Sequence, residues 1–123
     1  MNIPENLLYT KDHEWISIEN DIATVGITDY AQSELGDIIF IEFPSIDDKL
    51  IPGETFGTIE AVKTVADLFS PIEGKVVEIN NKLEDSPELT NNDPYGDGWI
   101  IKIKIEEQNE ENLLSHIDYG KII

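Results

Sequence analysis

The chain has 123 residues, 40% of them hydrophobic, and a formal net charge of −18 from 26 acidic residues against 8 basic ones, all lysine. Length and apolar content fit one packed domain over residues 1–123 and argue against disorder. The negative field repels nucleic acid and anionic lipid, no apolar run has the length of a membrane helix, and the lack of cysteine removes disulfides, thiolate metal sites and a cysteine nucleophile.

Met1 to Asn6 has neither a basic region nor an apolar stretch, so neither a signal peptide nor an Arg-rich transit peptide is expected, and a cytoplasmic protein is the default. Glu14 to Glu19 alternates, Asn20-Asp21 turns, and Ile22 to Ile27 alternates again, which predicts a hairpin. Thr28 to Gly36 predicts a short helix, capped by Thr28 and ended by Gly36. Asp37 to Phe43 predicts a buried strand stopped by Pro44. Ile51-Pro52-Gly53 turns into a strand over Thr55 to Val62, and Gly74 to Asn80 is a further strand. Asn91 to Gly98 is dense in turn residues. Trp99 to Glu106 alternates, with Ile101, Ile103 and Ile105 on one face and Lys102 and Lys104 on the other. From Glu107 to His116 the chain is polar, and Leu113, Leu114 and Ile117 at helical spacing predict a C-terminal surface helix.

The strands carry a faint internal repeat. Gly36 to Ile41 resembles Gly74 to Ile79, and Pro52 to Ile59 resembles Tyr95 to Ile101. A two-fold related pair of sheets would explain it.

Familiar catalytic motifs are missing. Gly96-Asp97-Gly98 lacks the third glycine and following helix of a dinucleotide site, and no serine sits in a nucleophile elbow. Asp93 to Asp97 is too short for a calcium loop. Asp12-His13-Glu14 could touch a metal, but neighbours on an extended chain point to opposite faces, so a hydrogen-bonded or solvated His13 is expected, and no metal. Trp15 and Trp99 are expected as core or half-buried anchors. The exception to this plainness is Lys63, set between Val62 and Thr64 with a strand-like run on either side. The Asn-Gly or Asp-Gly of a tight hairpin is absent there. Either the lysine is simply solvated or its amine is wanted at that tip, and the residues alone leave both open.

Five blocks in fixed order carry a resemblance. They are Tyr9-Thr10-Lys11-Asp12-His13-Glu14-Trp15, Val25 to Gln32, Leu35 to Ile38, Gly57 to Pro71 around Lys63, and Asp93 to Ile103. Together they closely resemble the H protein of the glycine cleavage system. The resemblance implies a mainly β fold: the lipoyl-domain β-sandwich, also called the barrel-sandwich hybrid or hammerhead, with an N-terminal extension and short helices including the C-terminal one. It implies lipoic acid bound as an amide on Lys63, with Glu60 as part of the surface read by a lipoate ligase or lipoyl synthase or transferase. Lysine plus lipoyl makes an arm of about ten single bonds with a reach on the order of 12–14 Å.

By the same resemblance the chain is a non-catalytic, monomeric shuttle. It takes the aminomethyl group of glycine from a pyridoxal-phosphate decarboxylase, the P protein, to a folate-dependent aminomethyltransferase, the T protein, and is reoxidised by a flavin dehydrogenase, the L protein. An alternative is a lipoyl donor to 2-oxo-acid dehydrogenases, which uses the same Lys63. Glu14 and Asp67 are the carboxylates expected to hold the cationic loaded arm in a cleft. Tyr30 and Glu34 stand where some relatives place histidine. A lipoyl domain of an acyltransferase lacks the Tyr9 to Trp15 block, and a biotin carrier flanks its lysine with Met, where this chain has Val62 and Thr64.

Overall fold

The computed structural model describes residues 1–107 and 112–123. In chain order the elements are β1 (Leu8–Tyr9), β2 (Glu14–Glu19), β3 (Ile22–Ile27), α1 (Asp29–Leu35), β4 (Ile38–Glu42), β5 (Lys49–Leu50), β6 (Thr55–Ala61), β7 (Val65–Phe69), β8 (Glu73–Ile79), α2 (Lys82–Asp85), α3 (Leu89–Asn92), β9 (Ile101–Glu107) and α4 (His116–Gly120). The strands form two antiparallel sheets, one ordered β1-β2-β3-β9-β8-β5 and the other β4-β6-β7. This is the expected mainly β sandwich with short helices.

The main core lies between the sheets, where alternate residues of each strand point inward. Ile16, Val25, Ile41, Ile59, Val76, Ile101 and Ile103 belong to it. A smaller cluster of Leu7, Tyr9, Trp15 and Tyr119 ties both ends of the chain to the sandwich. Trp15 pairs across the hairpin with Gly26, and its indole lies where a Cβ on Gly26 would be, 2.6 Å from the ring nitrogen. Trp99 is half-buried under the Lys102 ammonium, 5.0 Å from the ring centre.

The Asn20-Asp21 turn forms as expected. Both residues have positive φ, 51° and 64°, as the tight turn that fits strand twist demands. The repeat is expressed as strand pairing: Ile41 faces Ile59 in one sheet, and the corresponding Ile79 faces Ile101 in the other.

Two expectations need correction. The strand after Gly36 is not wholly buried. A register shift between Ile38 and Phe40 breaks the alternation and turns Ile39 and Phe40 outward, 49% and 54% exposed. The expected C-terminal helix is present but, among the described residues, begins only at His116, after Leu113 and Leu114. Leu114 exchanges backbone hydrogen bonds with Tyr9, which ties it to β1, and Ser115 then caps α4 by accepting the Asp118 N–H. Residues 108–111 of the expected helix lie outside the described residues.

Candidate functional site

Lys63 sits at the tip of the β6–β7 hairpin. The Ala61 N–H donates to the Thr64 carbonyl at 2.8 Å, leaving Val62 and Lys63 as the two loop residues. Neither has positive φ, so the turn needs no Gly or Asn. The Val62 N–H donates to the Asp37 carbonyl at 3.0 Å, which braces the tip against the chain leaving α1. Val62 and Lys63 are both exposed. The Lys63 side chain runs over Gly36, whose φ of +79° ends the helix; a Cβ there would stand 3.4 Å from Lys63 Cε.

Beside this hairpin lies a cleft of about 300 Å³ between α1, β7 and the start of β2. Its walls are apolar where Ile27, Ala31, Leu35 and Ala66 line them, and polar where Asp12, His13, Glu14, Tyr30, Glu34 and Asp67 do. Tyr30 and Gly36 are six residues apart on or next to α1, which is about 9 Å along a helix. Leu35, a lining residue, precedes Gly36, over which the Lys63 side chain runs, while His13, whose ring centre is 4.8 Å from that of Tyr30, lines the cleft nearer the start of α1. A larger cavity of about 440 Å³ adjoins the far side of Glu14, but neither the lysine hairpin nor α1 borders it.

The structure brings Glu14 and Asp67 to the same cleft. Asp67 is exposed on β7. Glu14 is 2% exposed, and both its carboxyl oxygens accept: one from the Thr10 hydroxyl at 3.0 Å, the other from the Phe69 N–H at 2.9 Å. Thr10 Oγ1 is itself an acceptor for the N–H groups of Asp12 and Glu14, so its single proton is free to point at the carboxyl. No cation pairs with Glu14 among the described residues. Burial pushes its carboxyl up to about 8, against the pull of its two donors. Glu60 does not line the cleft. It is exposed on β6, paired with Phe40 on one side and Val65 on the other, one row below the tip.

His13 differs from its expected geometry. Its φ is +68°, so it is not part of an extended run, and Asp12, His13 and Glu14 all line the same cleft. No group of three metal-binding side chains occurs among the described residues. His13 Nδ1 lies 2.8 Å from the Tyr119 hydroxyl, which in turn lies 2.7 Å from Thr28 Oγ1. Burial holds the imidazole below its ordinary pKa, although the carboxylates of Asp12 and Glu34 pull the other way. Tyr119 and Thr28 were not candidates from sequence. Nothing in the pattern links residue 13 to one 106 positions on.

Comparison with known proteins agrees over the full length. The model of the family described as "Glycine cleavage H-protein" matches residues 7–123. The glycine cleavage system H protein of Staphylococcus epidermidis is 53% identical over 124 residues, covering 100% of this chain and 98% of that protein. The protein of the same name from Bacteroides thetaiotaomicron is 54% identical with the same coverage. The crystal structure of a glycine cleavage system H protein from Mycobacterium marinum superposes with a TM-score of 0.91 at 37% identity, covering 97% of each chain.

Proposed function

This chain belongs to the glycine cleavage H-protein family, and on that premise we propose that Lys63 carries lipoic acid as an amide and offers it in turn to the other enzymes of the system. As a member of that family the chain is a carrier component of glycine cleavage. The observation that carries the attachment is position: Lys63 is exposed on a braced two-residue turn and leans over Gly36, the residue after the cleft-lining Leu35. When bound, lipoic acid would supply a strained disulfide, one sulfur of which would take the aminomethyl carbon of glycine while the other is released as a thiol; the dithiol that needs reoxidation would arise only once that carbon is passed on.

The residues present suit such a group. The lysine is needed for its amine and its length, since the amide removes its charge. The apolar wall along α1 and Ala66 suits the hydrocarbon part of the arm, whose reach is on the order of 12–14 Å. In the same cleft Glu14 is a buried carboxyl with two donors and, among the described residues, no cation, the environment in which an entering ammonium group gains most. A cation seated there would draw the proton from Glu14. Asp67 adds a second carboxylate on the open side. Holding the amine there keeps water from releasing it.

The chain itself does no chemistry in this reading. Decarboxylation, transfer to tetrahydrofolate and reoxidation fall to the P, T and L proteins, and the carrier works as a cytoplasmic monomer of one lipoyl-type domain. Glu60, exposed beside the tip, is proposed as a contact for the lipoate ligase or lipoyl synthase or transferase.

Intact mass of the protein from its native cell tests the attachment. One lipoyl amide is expected, placed on Lys63 by peptide sequencing and lost in Lys63→Arg. Lys75 and Lys82 are also exposed, so modification of either in place of Lys63 would overturn the assignment.

A further inference from the structure

A chain of three hydrogen-bonding groups leads from the cap of α1 to the cleft. Thr28 is completely buried, and its Oγ1 accepts the Ala31 N–H at 3.2 Å to cap the helix. Its own proton has one acceptor among the described residues, the Tyr119 oxygen at 2.7 Å. Leaving a buried hydroxyl proton unpaired is costly, so Thr28 donates to Tyr119. Tyr119 has a single proton, and its remaining neighbour is His13 Nδ1 at 2.8 Å. That proton therefore points at Nδ1. Nδ1 is an acceptor, and the proton of the neutral ring is on Nε2.

Building on the seating of the arm proposed above, we infer that Tyr119 is a positioning residue for the cleft: with Thr28 it holds His13 as the uncharged Nε2–H tautomer, so that the carboxylates meant for the cationic arm meet no competing imidazolium.

The surroundings explain why such a latch is needed. Asp12, Glu14, Glu34 and Asp67 line the cleft with His13, beside the phenol of Tyr30, and no lysine does. The carboxylates of Asp12 and Glu34 by themselves favour a protonated histidine. An imidazolium would neutralise them and repel an incoming amine. The Tyr119 O–H occupies the lone pair that the extra proton requires. Tyr119 is suited to that role. Burial pushes its phenol up to about 12, so it keeps its proton, and its ring stacks on Tyr9 at 4.8 Å and 7°. The positive φ of His13 turns the ring toward both Tyr119 and the cleft, and its backbone is fixed by bonds to Thr10 and Thr28.

Nitrogen-15 spectroscopy of histidine-labelled, unlipoylated protein reads the tautomer directly. The wild type should show His13 protonated at Nε2 and bare at Nδ1, and should stay neutral to lower pH than a free histidine. Tyr119→Phe keeps the stack on Tyr9 but removes the donor. It should give mixed tautomers and an upward-shifted titration, while Thr28→Ser, which keeps the hydroxyl, should retain the wild-type spectrum. In lipoylated protein loaded with the aminomethyl group, Tyr119→Phe should release ammonia several-fold faster than wild type at pH 6 and at a similar rate at pH 8. A wild-type His13 protonated at Nδ1 would overturn the inference, as would a Tyr119→Phe protein with an unchanged spectrum or unchanged release at pH 6. If the loaded wild type releases ammonia as fast as the same arm on a denatured chain, the cleft does not seat the arm. That outcome removes the basis of both readings, and the spectrum of the unloaded protein tells it apart from a failure of the tautomer alone.

Discussion

At the scale of single residues, Glu14 stands out among the described carboxyl groups. A glutamate at the start of a strand is ordinarily solvated; here it is buried with two donors and, among the described residues, no cation. Its folded pKa of about 8 lies above the ordinary 4.5, so the folded state keeps a proton that the unfolded chain has lost. Its contribution to stability should therefore decline as pH rises from about 4.5 through about 8, by an amount on the order of a few kcal/mol. Urea unfolding across that range should show the decline in wild type and a flatter profile in Glu14→Gln. Equal slopes would mean that Glu14 ionises freely. The same burial predicts proton release on loading at neutral pH, since the incoming amine favours the carboxylate. A pH-stat experiment comparing wild type with Glu14→Gln measures it.

At the scale of elements, α1 links the lysine to the cleft. It is short, seven residues, and relies on its ends. Thr28 holds its first turn, and Gly36 turns the chain with φ +79° toward β4. Gly36→Ala would force a side chain into that conformation at about 1 kcal/mol or more, with its Cβ in ordinary contact with Lys63 Cε. Thermal unfolding should fall accordingly. Lipoylation by the ligase should also slow, because the braced tip moves. Unchanged stability would show that the turn relaxes without strain.

At the scale of the whole molecule, the charge of −18 surrounds a hairpin tip whose neighbouring face is partly apolar. Phe40 and Val65 flank Glu60 in one cross-strand row and are 54% and 58% exposed. Under the proposed attachment, a partner that takes the arm would meet this face and a broad negative field. Attraction between exposed charges is screened over about 10 Å at 0.1 M salt. Association with the aminomethyltransferase or decarboxylase should therefore slow as salt rises, chiefly in the on-rate. Stopped-flow rates that do not change with salt would leave the acidic residues a role in solubility only.

Much of this was legible from local pattern, because strands, caps and turns depend on near neighbours. Alternation gave the β2–β3 hairpin, Asn20-Asp21 its turn, and Thr28 and Gly36 the limits of α1. The repeat foreshadowed the matching pairs Ile41–Ile59 and Ile79–Ile101, and the ordered blocks pointed to the family. Elements of two to four residues, β1, β5, α2 and α3, were too short to leave a periodic signal and exist because neighbours pair with or bury them; Leu83 of α2, for example, is in the main core. The site divides in the same way. The sequence by itself determined that an amine stands at a hairpin tip, and the family blocks marked out two carboxylates. Only tertiary structure decided that Glu14 is buried without a cation, that a left-handed His13 shares its cleft, and that Tyr119 reaches back 106 residues to hold that histidine. Burial and proton position depend on which distant groups pack together, and chain order carries no local signal of that.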